Sequence, residues 1–248
     1  MESYNSKIFS NGKYQYFYGW TVISMLKNPM RFKFIYDLIK NDDILHQFFS
    51  PLPITSYHMT ILGIWNTGMD LLPEQIRNIN KNYSYEDASE LIEIGSKTPY
   101  FFNPKYCINS LLDKIDSFII EDKNIKGAVI KIDSVVYTGS TIELVIDSSC
   151  KLSVINGLRD NIRKMLEVDR KYYRYHITLA YQYQNIEDDI DYNYVISTME
   201  DLSNRLKGTQ IEIAKPSLRY FSNMTRFIPC EQAKNRVSHK PINSQNYE

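Results

Sequence analysis

Cysteine is scarce in this sequence, and its few copies are far apart. The three residues are Cys107, Cys150 and Cys230, and no two of them form a CxxC pair. A disulfide framework or a structural zinc site needs several cysteines at short spacing, so this pattern excludes both. We therefore expect free, buried thiols.

A net charge and long apolar runs are also missing. The 29 basic residues balance the 29 acidic ones. Proteins that bind long nucleic acid strongly usually carry a basic excess, so the balance favours a small phosphorylated ligand. No apolar run approaches the ~20 residues of a membrane span, and the start MESYNSKIFSNGKY has no signal-peptide pattern. We expect a cytoplasmic protein that does not associate with membranes.

The composition that remains is that of an ordinary globular protein. The chain has 248 residues, of which 43% are hydrophobic and 23% charged. This length is sufficient for one large domain or two small lobes. The 20 tyrosines and the many Asn, Lys and Ile residues are typical of an AT-rich genome, which indicates a phage, a large DNA virus or a low-GC bacterium.

The predicted order of secondary-structure elements repeats once along the chain. Each half reads strand, helix, strand, helix, strand, and a Gly139-Ser140 turn separates the halves. This order predicts a duplicated α+β unit with two lobes. We expect a single domain over residues 1–230, with lobes that meet near 139–141 and an insertion at 66–103. Residues 231–248 are polar and aperiodic, which predicts a mobile tail.

Two of the predicted strands carry the same His-x-Thr pattern. SYHMTIL contains His58 and Thr60, and YRYHITLAY contains His176 and Thr178. Side chains two apart on a strand point the same way, so each His shares a face with its Thr. Apolar residues alternate with them, as in a strand that lines a cleft on one face and packs into a core on the other. A lone His-x-Thr is often structural, but two copies in matching positions of a repeat favour a function.

Histidine and threonine at this spacing favour chemistry on a phosphate. An unperturbed pKa of about 6.5 lets histidine accept or donate a proton near neutrality. Two histidines that face one phosphorus can act as general base and general acid, and each threonine hydroxyl can donate a hydrogen bond to a non-bridging oxygen. Such a site needs no metal and no cofactor. The pattern leaves open which histidine is the base and which is the acid.

The two motifs resemble those of the two-histidine (2H) phosphoesterase superfamily, which is marked by two H-x-T/S-x motifs on symmetric strands. HMTI and HITL match the motif, and GWTVISML, YHITLAYQ and LRYFSNMTRFIP are similar to a less characterised branch with larger domains. The resemblance covers most of residues 13–229 and extends to LigT-like cyclic phosphodiesterases. It implies a bilobal α+β fold with a central cleft between two antiparallel sheets and helices on the outside. It also implies that His58 and His176 are the acid/base pair and that Thr60 and Thr178 hold the phosphate.

The resemblance further implies a metal-independent phosphodiesterase. Its substrate would be a 2′,3′-cyclic phosphate, a 2′-5′ linkage or a cyclic dinucleotide, and in a virus it would degrade an immune signalling nucleotide. We expect a small nucleotide or an RNA end as the partner, and a monomer.

Additional residues are candidates for contact with the substrate. Arg174 stands two residues before His176, on the predicted cleft face, where a guanidinium would neutralise a phosphate. Aromatic residues of the first and last strands are candidates for stacking on a base: Tyr18, Trp20, Tyr220 and Phe227. Core packing or a surface position is the alternative for each. Strand alternation points Tyr181 away from His176, so we predict no direct role for Tyr181.

Two other functions stay open at the level of sequence. A binding module would sequester a nucleotide without turnover, although two complete His/Thr pairs favour catalysis. An RNA 2′-5′ ligase or another RNA-end processing enzyme would use related chemistry in the same site.

Overall fold

The computed structural model describes residues 3–5, 7–15, 17, 19–66, 108–166 and 173–237. The strands are β1 (Ser3–Asn5), β2 (Ile8–Phe9), β3 (Gly19–Met25), β4 (Phe49–Pro51), β5 (His58–Asn66), β6 (Ala128–Tyr137), β7 (Thr141–Ile146), β8 (His176–Gln182), β9 (Gln210–Ile213), β10 (Ser217–Asn223) and β11 (Arg226–Pro229). The α-helices are α1 (Lys33–Asn41), α2 (Leu45–Phe48), α3 (Ile108–Glu121), α4 (Ser153–Leu166), α5 (Asp189–Leu206) and α6 (Cys230–Val237). Most of the predicted insertion at 66–103 lies outside the described residues.

Two antiparallel sheets form the body of the protein. One has four strands in the order β11-β10-β3-β5, and the other has five in the order β4-β8-β7-β6-β9. Each sheet contains one motif strand, β5 or β8, beside the first strand of its unit, β3 or β7. Helix α3, which follows motif strand β5, packs against β10. Helix α5, which follows motif strand β8, packs against β6. The predicted α+β class with two antiparallel sheets is confirmed, and it is the architecture that the 2H resemblance implied.

Local sequence signals explain several element boundaries. Helix α4 buries Ile155, Leu158, Ile162 and Leu166, whose three- and four-residue spacing places them on one face. Helices α1 and α2 are separated at Asp42, whose carboxylate accepts hydrogen bonds from the backbone N–H groups of residues 44 and 45 at 3.0 and 2.9 Å. These bonds cap the start of α2. No described helix combines the length and the apolar character needed to cross a bilayer.

The predicted boundary between the lobes near 139–141 does not separate the sheets. Strands β6 and β7 are joined by the short turn at Thr138–Ser140 and pair with each other in the five-stranded sheet. Such a short connection makes the flanking strands antiparallel neighbours, because the chain cannot cross to another sheet in so few residues. The third strand of the other sheet is instead β10, which comes from the C-terminal part of the chain. The two units therefore exchange strands.

The first residues of the tail expected at 231–248 are helical. Residues Cys230–Val237 form helix α6. Cys230 and Ala233 are buried against the core, and this contact stabilises a segment whose sequence has little apolar periodicity. Residues 238–248 lie outside the described residues.

Candidate active site

Both His-x-Thr motifs line one cleft between the two sheets. The cleft has a volume of about 480 Å³, and His58, Thr60, His176 and Thr178 all contribute to its wall. The intervening residues Met59 and Ile177 are fully buried on the opposite face of their strands. The structure thus brings the four residues together, while their catalytic roles stay a prediction.

The two histidine rings are held in the same way. Nδ1 of His58 lies 2.6 Å from the carbonyl oxygen of Ser56, and Nδ1 of His176 lies 3.1 Å from that of Arg174. A carbonyl oxygen only accepts hydrogen bonds, so Nδ1 carries the proton in each neutral ring. Nε2 of each ring is therefore the nitrogen that can accept a proton from a ligand.

A carboxylate distinguishes the two histidines. Nε2 of His176 lies 3.7 Å from Oε1 of Glu143, which also accepts a hydrogen bond of 2.7 Å from the Thr141 hydroxyl. Glu143 stands opposite Thr178 on the neighbouring strand, whereas the residue opposite Thr60 in the other sheet is Ile23. Glu143 was not among the residues predicted from the sequence. The available signal was a single charged residue inside the apolar strand TIELVI.

The environment of His58 disfavours the protonated ring. Burial lowers the pKa of His58 to about 4, and the positive charges of His176, Arg219 and Lys7 act in the same direction against the hydrogen bond to Ser56. The Phe227 ring lies 4.2 Å from the His58 ring, between centroids. His58 is therefore neutral at physiological pH and can act as a proton acceptor.

The two threonine hydroxyls are available to a ligand. Within the described part of the chain, no hydrogen bond engages the side chain of Thr60 or Thr178. The described residues also contain no group of three or more His, Cys, Asp or Glu side chains that could hold a metal ion. The groups presented to the cleft by the motifs are two imidazoles and two hydroxyls.

A β-bulge follows each motif and changes which residues face the cleft. The registers of β3 with β5 and of β7 with β8 shift by one residue at Ile61 and at Leu179. An extra residue reverses the alternation of side chains beyond it. Gly63 and Tyr181 consequently line the cleft with the histidines. The prediction that Tyr181 faces away from His176 is wrong, because it assumed an uninterrupted strand.

The remaining candidates divide between the cleft and other places. Trp20 and Phe227 line the cleft. Tyr220 is buried beside Trp20, its partner on the neighbouring strand, with its ring centroid 5.3 Å from the Trp20 ring, and it does not line the cleft. Arg174 is exposed and is not one of the described residues that line the cleft. Strand alternation did not apply to it, because β8 begins at His176. Tyr18 lies outside the described residues.

The N-terminal part of the chain contributes a residue that sequence reasoning missed. Lys7 lines the cleft, and its Nζ lies 3.3 Å from the Tyr181 hydroxyl. The ammonium also lies 5.1 Å from the centroid of the Tyr181 ring and 5.3 Å from that of Phe17. No motif surrounds Lys7, so only the fold reveals its position.

Comparison with known proteins supports the fold. No protein-family model matches the chain. The chain is 36% identical over 76 residues to the uncharacterized protein 127L of Invertebrate iridescent virus 6, a match that covers 29% of this chain and 32% of the viral protein. The matched segment thus spans about a third of the length of this curated relative.

Two crystal structures are similar to the chain. The conserved protein of unknown function ATU0111 from Agrobacterium tumefaciens str. C58 superposes with a TM-score of 0.57 at 14% identity, over 91% of this chain and 89% of that one. The structure of E. coli LigT complexed with NADP+ gives a TM-score of 0.42 at 12% identity, over 86% of this chain and 95% of LigT. The chain shares its fold with the Agrobacterium protein.

Proposed function

We propose that the protein is a metal-independent phosphodiesterase that acts on a small nucleotide or an RNA end by acid–base catalysis with two histidines. The observation that carries the proposal is the matched presentation of His58 and His176. Each ring donates from Nδ1 to the carbonyl two residues before it, which leaves Nε2 as the proton-accepting nitrogen, and both residues line one cleft. Two histidines with a purely structural role would have no reason to share both this hydrogen bond and this cleft.

The general base in this proposal is His58. Its neutral ring accepts the proton of the attacking oxygen, which belongs to water for a 2′,3′-cyclic phosphate or to the adjacent ribose hydroxyl for a 2′-5′ linkage. The depressed pKa keeps Nε2 unprotonated at neutral pH, as a base requires. Because the pKa of His58 is low, the ring also stays unprotonated well into the acidic range.

The general acid in this proposal is His176. Nε2 of the protonated ring, 3.7 Å from the Glu143 carboxylate, gives its proton to the departing oxygen. Thr60 and Thr178 donate hydrogen bonds to the two non-bridging oxygens, whose negative charge increases in the transition state. In-line displacement requires the two imidazoles to act from opposite sides of the phosphorus.

The walls of the cleft support a nucleotide as the substrate. Phe17, Trp20, Phe221 and Phe227 supply aromatic surface on which a base can stack. A volume of about 480 Å³ is that of a site for a small molecule and not of a groove for a duplex. A 2′,3′-cyclic nucleotide, a 2′-5′ dinucleotide and a cyclic dinucleotide all meet these conditions, and a viral setting would make an immune signalling nucleotide the target.

A panel of nucleotides in the presence of EDTA tests the proposal. The panel contains 2′,3′-cyclic nucleotides, a 2′-5′ adenylate trimer, and cyclic dinucleotides with and without a 2′-5′ linkage, with products resolved by liquid chromatography. We expect cleavage of at least one compound by the wild type and none by His58→Ala/His176→Ala. No cleavage by the wild type, together with a ligand-induced rise in melting temperature, would replace the proposal with a sequestering module.

A second substrate separates the two roles. A nucleoside 3′-(p-nitrophenyl phosphate) has a leaving group that needs no protonation. We expect His176→Ala to retain activity on this diester and His58→Ala to lose it. Equal losses in the two variants would contradict the assignment of acid and base.

A further inference from the structure

Two runs of side-chain contacts along the cleft wall connect the histidines with Lys7. Along the aromatic wall, the centroid of the Phe227 ring lies 4.2 Å from that of His58 and 5.5 Å from that of Phe221. The Phe221 ring is followed by that of Phe17 at 6.0 Å, and the Lys7 ammonium lies 5.3 Å from the Phe17 centroid. Three aromatic rings thus separate Lys7 from His58 on this side.

The opposite wall gives the same separation through polar side chains. Lys7 contacts the Tyr181 hydroxyl at 3.3 Å, and Tyr181 stands opposite Thr141 on the neighbouring strand. The Thr141 hydroxyl donates to Glu143, which lies 3.7 Å from His176. Three side chains intervene on this wall as well, so Lys7 stands three side chains away from each histidine along the cleft wall, at a position from which its charge still acts on His58.

Hydroxyl groups surround Lys7 at its end of the cleft. Besides Tyr181, the β6–β7 turn contributes Thr138 and Ser140 to the cleft wall. The Thr138 and Thr141 hydroxyls lie 2.8 Å apart, which ties the turn to the strand opposite Tyr181. Within the described residues no hydrogen bond engages the Ser140 hydroxyl. An ammonium beside several hydroxyls is a combination of donors that suits a phosphate.

We infer that Lys7, with Ser140, Thr138 and Tyr181, forms a second anion-binding subsite that takes a second phosphate of the substrate. Of the described residues that line the cleft, Lys7 is the one lysine or arginine. The inference rests on the proposed function for the position of the first phosphate. It narrows the substrate class to nucleotides with two phosphates, such as a cyclic dinucleotide or a 2′-5′-linked or 2′,3′-cyclic nucleotide that is also phosphorylated at its 5′ end. A nucleoside 2′,3′-cyclic monophosphate would leave the subsite unused.

Calorimetric titration with two ligands that differ by one phosphate tests the subsite without turnover. The probes are adenosine 3′-monophosphate and adenosine 3′,5′-bisphosphate. The corresponding pairs of guanosine, cytidine and uridine nucleotides are measured in the same way. We expect the wild type to bind the bisphosphate at least about tenfold more tightly, as a charge-assisted hydrogen bond provides. Lys7→Gln should reduce this preference to about threefold or less, and Ser140→Ala, in an exposed turn, should reduce it partly.

The matched control is Lys13→Gln. Lys13 is exposed, belongs to the same N-terminal segment and does not line the cleft, so its replacement should leave the preference unchanged. Equal affinity of the wild type for both probes with every base, or a preference that survives in a folded Lys7→Gln, would overturn the subsite. Neither probe is a phosphodiester. A protein that prefers the bisphosphate but cleaves no diester would therefore refute the proposed function and leave the subsite standing.

Discussion

Acid should destabilise the folded protein through His58, and replacing this one residue should remove the effect. Burial holds the pKa of His58 at about 4 in the folded state, whereas a histidine in the unfolded chain titrates near 6.5. Between these two values the unfolded chain binds a proton that the folded protein does not. The free energy of unfolding must therefore fall as the pH decreases from about 6.5 to about 4.

The size of the effect follows from the same two pKa values. The difference between an ordinary value near 6.5 and about 4 corresponds to about 3 kcal/mol, which is fully lost once the pH is below both values. This is a substantial part of the 5–15 kcal/mol that typically stabilises a domain. Other groups also titrate in this range, so the effect is measured as a difference between variants.

Urea unfolding of the wild type and of His58→Asn at pH 7, 6, 5 and 4 provides that difference. Asparagine keeps a donor that can bond to the Ser56 carbonyl but does not titrate. We expect His58→Asn to become more stable relative to the wild type by about 3 kcal/mol between pH 7 and pH 4. The control is His46→Asn, which removes an exposed imidazole from α2. Parallel curves for the wild type and His58→Asn would refute the reasoning, because His58 would then titrate as it does in the unfolded chain.

Three further predictions concern the cleft. Thr60→Val should lower kcat/KM at least about tenfold and Thr60→Ser should retain most of it, because only the hydroxyl stabilises the phosphate charge; equal kinetics for the two variants would contradict this role. Gly63→Val should raise KM about tenfold with little change in Tm, since a Cβ at Gly63 meets nothing within 4 Å; an unchanged KM would place the ligand elsewhere. Arg159→Met should lower the free energy of unfolding by about 2 kcal/mol, because the buried guanidinium donates from Nε to the carbonyl of Ile61 in the bulge at 2.9 Å. Chemical denaturation measures this loss, and the same unfolding midpoint as in the wild type would argue against it.

Local patterns predicted much of the fold and the motif faces of the site. Alternation along the two motif strands placed Met59 and Ile177 in the core and the histidines on the other face, as observed. The buried residues of α4 recur at helical spacing, and Asp42 between α1 and α2 is a residue type that caps helices. These signals can be recognised in the sequence because they depend on residues that are only a few positions apart.

The errors arose wherever a distant partner decides the outcome. The orientation of Tyr181 depends on the bulge at Leu179, which exists only in the register between β7 and β8. The exchange of strands between the two units depends on which strand completes each sheet. In one sheet β10 pairs with β3, although most of the chain lies between them in sequence.

By itself, the sequence determined which side chains each motif presents on one face. Two His-x-Thr strands in a repeated α+β unit specify which residue types share a face, because strand alternation is a property of the local backbone. Only the tertiary structure decided how the two motifs differ. Glu143 beside His176, the contact of the Phe227 ring with His58 and the approach of Lys7 to Tyr181 all join residues that are distant in sequence. Electrostatic interactions depend on distance in space and on burial, and neither is fixed until the two sheets pack against each other.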